Sequence, residues 1–127
     1  MKYFTIILST LFFAHCSTQY KLIEEQHPYG LHGQLVAQKG KGGQLSEILL
    51  DAAKLMQQAE GCQMYMVGTD ISDDNIVIIT EIWDSKKDHD ESLKLPGVQE
   101  LITKAIPLLS APSQQGQQFK ILGGLSR

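Results

Sequence analysis

Apolar and polar side chains alternate from Leu31 to Gln38. Leu31, Gly33, Leu35 and Ala37 fall on one side, and His32, Gln34, Val36 and Gln38 on the other. A period of two predicts a strand. Lys39, Gly40, Lys41, Gly42 and Gly43 break the pattern. They match neither G-x-x-x-x-G-K-[ST] nor GxGxxG, so they predict a turn rather than a phosphate cradle. Leu45, Ile48, Leu49, Ala52, Leu55, Met56 and Ala59 then recur at helical spacing, with Glu47, Asp51, Lys54 and Gln58 opposite them. Gly61 is expected to stop this helix in a left-handed conformation, and the helix is expected to lie on a sheet with Met56 in the core.

Cys62 to Thr69 predicts a second strand, with Cys62, Met64 and Met66 on one face and Gln63, Tyr65 and Val67 on the other. Asp70 to Asn75 carries turn chemistry, and Ile76 to Asp84 predicts a third strand. Ile76, Ile78, Thr80 and Ile82 share one face of it; Val77, Ile79, Glu81 and Trp83 share the other. Ser85 and Asp88 form a capping box, which starts a helix at Lys86. Leu95, Pro96 and Gly97 interrupt that helix; Val98, Leu101, Ile102, Ala105, Ile106 and Leu109 continue a second stretch that ends near Pro107. Gln118 to Leu122 predicts a last strand.

The order β-α-β-β-α-β is that of an α+β, ferredoxin-like split β-α-β unit, an antiparallel sheet with helices on one face. The other face needs a cover. Val77, Ile79 and Trp83 are too apolar to leave in water, which predicts a homodimer packed sheet to sheet, with a cavity under or between the sheets.

Composition narrows the function. The chain has 127 residues, 43% hydrophobic and 20% charged. That is one domain, able to bury a core without a disulfide, metal or cofactor to hold it together. Fourteen acidic residues stand against 11 basic ones, and the single Arg is Arg127. A net charge of -3 offers no basic face, so nucleic-acid binding is set aside.

Residues 1–19 read differently. Lys2 precedes an apolar run from Tyr3 to Ala14, too short to span a bilayer and of the length of an export-signal core. Cys16, followed by Ser17, Thr18 and Gln19, resembles a lipoprotein processing site at which Cys16 becomes lipidated. His15 is bulkier than the residue usual there, and two other fates fit as well: plain signal cleavage, or an uncleaved terminal segment. The expectation is an exported, cell-envelope protein with membrane anchoring through a lipidated N-terminus, and otherwise a cytoplasmic one. Residues 20–29 read as a linker and 30–124 as the domain. With Cys16 in the leader, Cys62 has no disulfide partner and reads as a small core residue.

His32-Gly33, the loop from Lys39 to Gly43, Leu45 to Met56, Gly61-Cys62, Tyr65 and above all the run Glu81-Ile82-Trp83-Asp84-Ser85-Lys86-Lys87-Asp88-His89-Asp90-Glu91-Ser92-Leu93 resemble the antibiotic biosynthesis monooxygenase family, in particular its quinol monooxygenases. Leu95-Pro96-Gly97-Val98, Ile106-Pro107-Leu108-Leu109 and Gly123-Gly124 extend the likeness over about residues 30 to 124. The resemblance implies a dimeric α+β barrel. It also implies oxidation of a small hydroxylated aromatic by O2, without metal or flavin. Triplet O2 reacts slowly with closed-shell molecules, but an ionised hydroquinone can give it one electron. The protein then has to position and deprotonate the substrate in a dry pocket.

His89, Trp83 and Glu81 are the catalytic candidates. Trp83 fits an aromatic wall whose indole N-H reaches an anionic oxygen, and equally a core or interface Trp. Glu81 shares its face, where apolar surroundings would raise its pKa and make it a base; a salt bridge with a Lys is the plainer alternative. His89 falls in the first turn of the following helix and is a proton acceptor or a solvated surface His. Tyr65, Ile79, Ser92 and His32 are the substrate-binding candidates. No metal site is expected, since neither His32 nor His89 has a His or Cys partner at ligand spacing. Haem-degrading relatives pair the strand Trp with a His ten residues later; here that residue is Leu93. Two non-catalytic readings stay open: a dimeric barrel at the cell envelope that holds a quinone or small apolar ligand, and a dimerisation domain whose cavity is filled by Ile79, Met64 and Met66.

Overall fold

A computed structural model describes residues 27–124. The leader, Cys16 and most of the expected linker lie outside the described residues. Eight elements follow in order: β1 (Tyr29–Val36), α1 (Gly42–Met56), β2 (Cys62–Thr69), β3 (Ile76–Trp83), α2 (Lys86–Ser92), α3 (Pro96–Ala105), a 3-10 turn (Ile106–Leu108) and β4 (Gln117–Lys120). The strands pair antiparallel in the order β2-β3-β1-β4, as the ferredoxin-like reading requires.

The helices cover one face of the sheet only. Beneath them lie two apolar clusters, one built on Leu45, Leu49 and Val77, the other on Tyr29, Met56, Trp83 and Val98. Here the sequence expectation is reversed. Val77 and Trp83 are fully buried on the helix side, and the face left uncovered is that of Ile76, Ile78, Thr80 and Ile82. Alternation states which residues share a face; it does not state which face the helices choose.

Four elements depart locally from the predicted pattern. Strand β1 begins at Tyr29, inside the segment expected as linker, and buries that ring in the second cluster. A register shift between Cys62 and Met64 inserts one residue into β2. The bulge turns Cys62 to the same core as Tyr65, so the two do not alternate. Helix α1 ends at Met56, short of Ala59, and Gly61, with φ 73°, serves the turn that feeds β2 instead of capping the helix. The last strand also starts one residue earlier and ends two earlier than the pattern suggests.

Other expectations hold. The Gly-rich segment makes its turn at Lys39 and Gly40, with Gly42 and Gly43 already in α1; Asn75 Oδ1 ties it down, accepting from Gly40 N at 2.9 Å and Gly42 N at 3.4 Å. Ser85 caps α2, its Oγ accepting from Asp88 N at 3.2 Å. Pro96 sits in the first turn of α3, where its missing N-H costs nothing.

Candidate active site

On the helix-facing side of the sheet, three successive rungs follow the one centred on Val77. Val67, Ile79 and Gly33 form one; Tyr65, Glu81, Leu31 and Gln118 form the next; Cys62, Trp83, Tyr29 and Lys120 form the last. A carboxylate therefore lies in mid-sheet between Tyr65 and Leu31, 7% exposed. The polypeptide leaves β3 at Trp83, turns through Asp84, and the Ser85 cap fixes the direction in which α2 departs. One turn later His89 is carried back over the sheet. Its ring meets Trp83 edge-on at 5.7 Å between centroids and tilts against Tyr29 at 5.4 Å.

Hydrogen bonds fix the polar atoms. Trp83 Nε1 donates to Glu81 Oε2 at 2.8 Å. His89 Nε2 lies 3.8 Å from the same oxygen. The other imidazole nitrogen, Nδ1, is 3.0 Å from Asp90 Oδ1, and Lys86 Nζ reaches Asp90 Oδ2 at 2.6 Å. An ionised carboxylate only accepts, so Asp90 places the proton of a neutral His89 on Nδ1 and leaves Nε2 with a lone pair facing Glu81.

The electrostatics follow from burial. Desolvation pushes the Glu81 carboxyl above the usual glutamate range, with the Trp83 hydrogen bond and His89 opposing it. Burial, and then the Glu81 charge, push the Tyr65 phenol far up; the Cys62 thiol rises for the same reasons. Tyr29 is raised chiefly by desolvation. Partial burial opposes ionisation of Asp90, but hydrogen bonds from Lys86 and His89 outweigh it and hold that carboxyl below its ordinary value.

A cleft of about 400 Å³ opens on this surface, bordered by Tyr29, Leu31, Tyr65, Ile79, Glu81 and His89. Trp83 is not on its wall. Fully buried behind Glu81, it spends its N-H on that carboxylate and has none to offer a ligand, unlike the role expected for it. Ile79 and Tyr65 line the cleft. Ser92 is buried, and its hydroxyl donates to the His89 carbonyl at 2.7 Å. His32 is on the uncovered face, paired with Thr80 Oγ1 at 2.9 Å, and cannot reach the cleft. Met64 pairs with Ile82 and Met66 with Thr80, on that same outer face, so they do not fill the cavity.

Two participants escape the sequence reading. Tyr29 carries the signal of β1 two residues before Leu31, hidden by the adjacent Pro28. Asp90 reads as part of a solvated acidic run, and only its step to the preceding His89 marks it. Among the described residues no group of three or more His, Cys, Asp or Glu is arranged to hold a metal ion, and no helix is long and apolar enough to cross a membrane.

Comparison with known proteins agrees with the fold. The sequence profile of the antibiotic biosynthesis monooxygenases matches residues 28–104. A structure from Chloroflexus aurantiacus assigned to that family is 36% identical, with a TM-score of 0.70 over 78% of this chain and 97% of that one. One from Deinococcus radiodurans is 27% identical, with a TM-score of 0.60 over 78% and 95%. A Caulobacter crescentus structure, at 14% identity and a TM-score of 0.72 over 83% and 99%, shares the fold. No curated protein matches the chain. With the profile spanning β1 to α3 and a relative more than a third identical over nearly its whole length, this chain belongs to the antibiotic biosynthesis monooxygenase family.

Proposed function

We propose that the protein is a cofactor-independent monooxygenase or quinol oxidase that uses O2 on a small hydroxylated aromatic. The observation that carries this reading is the meeting of Glu81 and His89, 3.8 Å apart, beside an otherwise largely apolar cleft. A quinol bound there gives up a phenolic proton to this pair, and the anion formed is electron-rich enough to pass one electron to O2. The radical pair collapses to a new C–O bond at the ring. Loss of water then leaves the hydroxylated quinone, so that one quinol and one O2 give one hydroxyquinone and one H2O. If no C–O bond forms, the same quinol yields quinone and H2O2. Burial of Glu81 raises its affinity for the proton, which suits a general base near neutral pH.

The uncovered sheet face supports a second copy as the cover, so the homodimer is proposed with Ile78 and Ile82 at its seam rather than Val77 and Trp83. The leader is proposed to deliver the protein to the cell envelope; mass spectrometry of the native N-terminus distinguishes lipidated Cys16 from plain cleavage.

The test is O2 uptake by the purified chain over a panel of hydroquinones and naphthohydroquinols, with oxygen-18 incorporation into the product. Uptake above the uncatalysed rate supports the proposal. Thermal stabilisation by quinones with no uptake would instead identify a binding module.

A further inference from the structure

A second cavity of about 260 Å³ adjoins the cleft, between α1, α3 and the 3-10 turn. Leu35, Leu49, Tyr65, Leu93, Ile102 and Ser113 border both. The two compartments are therefore neighbours that share a wall, and their chemistry differs. The cleft ends on a carboxylate and an imidazole. The groove continues over Ile48, Leu101 and Ile106, and no charged side chain among the described residues lines it. Ser92, at its border, already donates its hydroxyl hydrogen bond to the His89 carbonyl.

From this pairing we infer that the substrate is an amphiphile, a hydroxylated ring bearing an alkyl or isoprenoid tail, with the ring against Glu81 and His89 and the tail in the groove. The ring's placement rests on the proposed reaction; the tail's rests on the groove. The hydroxyls of Tyr65 and Ser113 are the other polar side-chain groups on its wall, so most of the space offers a water fewer than the two to four partners that hold buried water and favours an apolar occupant. A hydroxylated or charged head cannot enter it without losing its hydrogen bonds. The rim is apolar as well as accessible: Leu93 is 40%, Ile102 37% and Ile106 60% exposed. At the ~30 Å³ a small molecular unit occupies in a liquid, the volume holds roughly nine methylene-sized groups, that is, about one or two isoprene units.

The experiment uses the full chain and the fluorescence of Trp83, the single Trp of the sequence, which lies against His89 and Glu81. It is titrated anaerobically with oxidised naphthoquinones bearing no tail, one, two or four isoprene units. Each buried methylene is worth about fourfold in affinity, so Kd should fall more than tenfold by two units and then level off as the groove fills. Ile106→Glu, at the exposed rim and checked for folding by circular dichroism, should bring the ratio of two-unit to tailless affinity close to one. A flat response in the wild type overturns the inference, including the case in which another part of the chain occupies the groove. So does a ratio unchanged by Ile106→Glu. O2 uptake with the corresponding quinols separates the two levels: a tail preference without uptake sinks the reaction and keeps the groove, and uptake with no tail preference does the reverse.

Discussion

The indole nitrogen of Trp83 donates a 2.8 Å hydrogen bond to Oε2 of Glu81, its neighbour two residues back on the same face of β3. Both side chains are buried, so the bond is made where water cannot replace it. Trp83→Phe keeps an aromatic ring and removes the donor, leaving the carboxylate short of a partner. A loss of about 1.5 to 3 kcal/mol follows for a hydrogen bond to a charged group, read as a lower urea midpoint by circular dichroism. The acid limb of the pH-rate profile should also move to higher pH, because the bond now holds the Glu81 pKa down. An unchanged midpoint would show that the bond contributes nothing.

Glu81 itself makes stability depend on pH in a definite direction. Its folded pKa is raised, first by desolvation. Below the ordinary glutamate value of about 4.3 the group is protonated whether folded or not, and its contribution is fully present. As pH rises through the folded pKa, the fold has to keep a buried carboxylate and that stability is lost. Glu81→Gln stays neutral and still accepts from Trp83. The stability of this variant relative to wild type should therefore improve steadily from pH 4 to pH 8, while O2-dependent turnover falls. A difference flat in pH would mean that Glu81 is not desolvated.

His89 and Asp90 are separable by kinetics. Removing a general acid-base group costs about 10² to 10⁴ in turnover, the loss expected for His89→Ala. Asp90 touches the imidazole and lies nearly half exposed, with Lys86 on its other oxygen, so it acts as a positioning residue. Asp90→Asn weakens the bond that orients Nδ1 by about 1.5 kcal/mol, on the order of tenfold in kcat. KM should stay nearly constant, and Asp90→Glu should restore part of the rate. Equal losses in the two variants would contradict this division of labour.

Much of this arrangement can be read along the chain, because it depends on local rules. The pleat puts Glu81 and Trp83 on one face, and the Ser85 cap sends His89 back over them. What the sequence hides is set by tertiary choices. Which face of β3 meets the helices depends on packing, so alternation alone gives Val77, Ile79 and Trp83 to a partner copy, where the fold instead puts Val77 and Trp83 under its own helices. The bulge at Cys62 shifts register by one, which no alternation count detects. His32 falls on the outer face because β1 pairs it with Thr80, a register that only the folded sheet defines. Trp83 looks like a pocket wall until the carboxylate in front of it is placed.

The uncovered sheet face gives the last prediction. Val36 and Met66 are 46% and 55% exposed there, with Ile78 and Ile82 half-buried between them. A two-fold partner would cover these side chains and bury the same patch on both copies, roughly 800 Å² a side. Ile78→Glu then brings an unpaired carboxylate from each copy into a dry seam, at a cost of several kcal/mol. Light scattering should give about twice the chain mass of 14.1 kDa for the wild type and a single chain for the variant. Leu50→Glu is the comparison, since Leu50 is also 50% exposed but lies on α1, away from the sheet face. It should leave the dimer intact. If Ile78→Glu remains a dimer as well, the partner covers some other surface, and the open face of the sheet needs a different explanation.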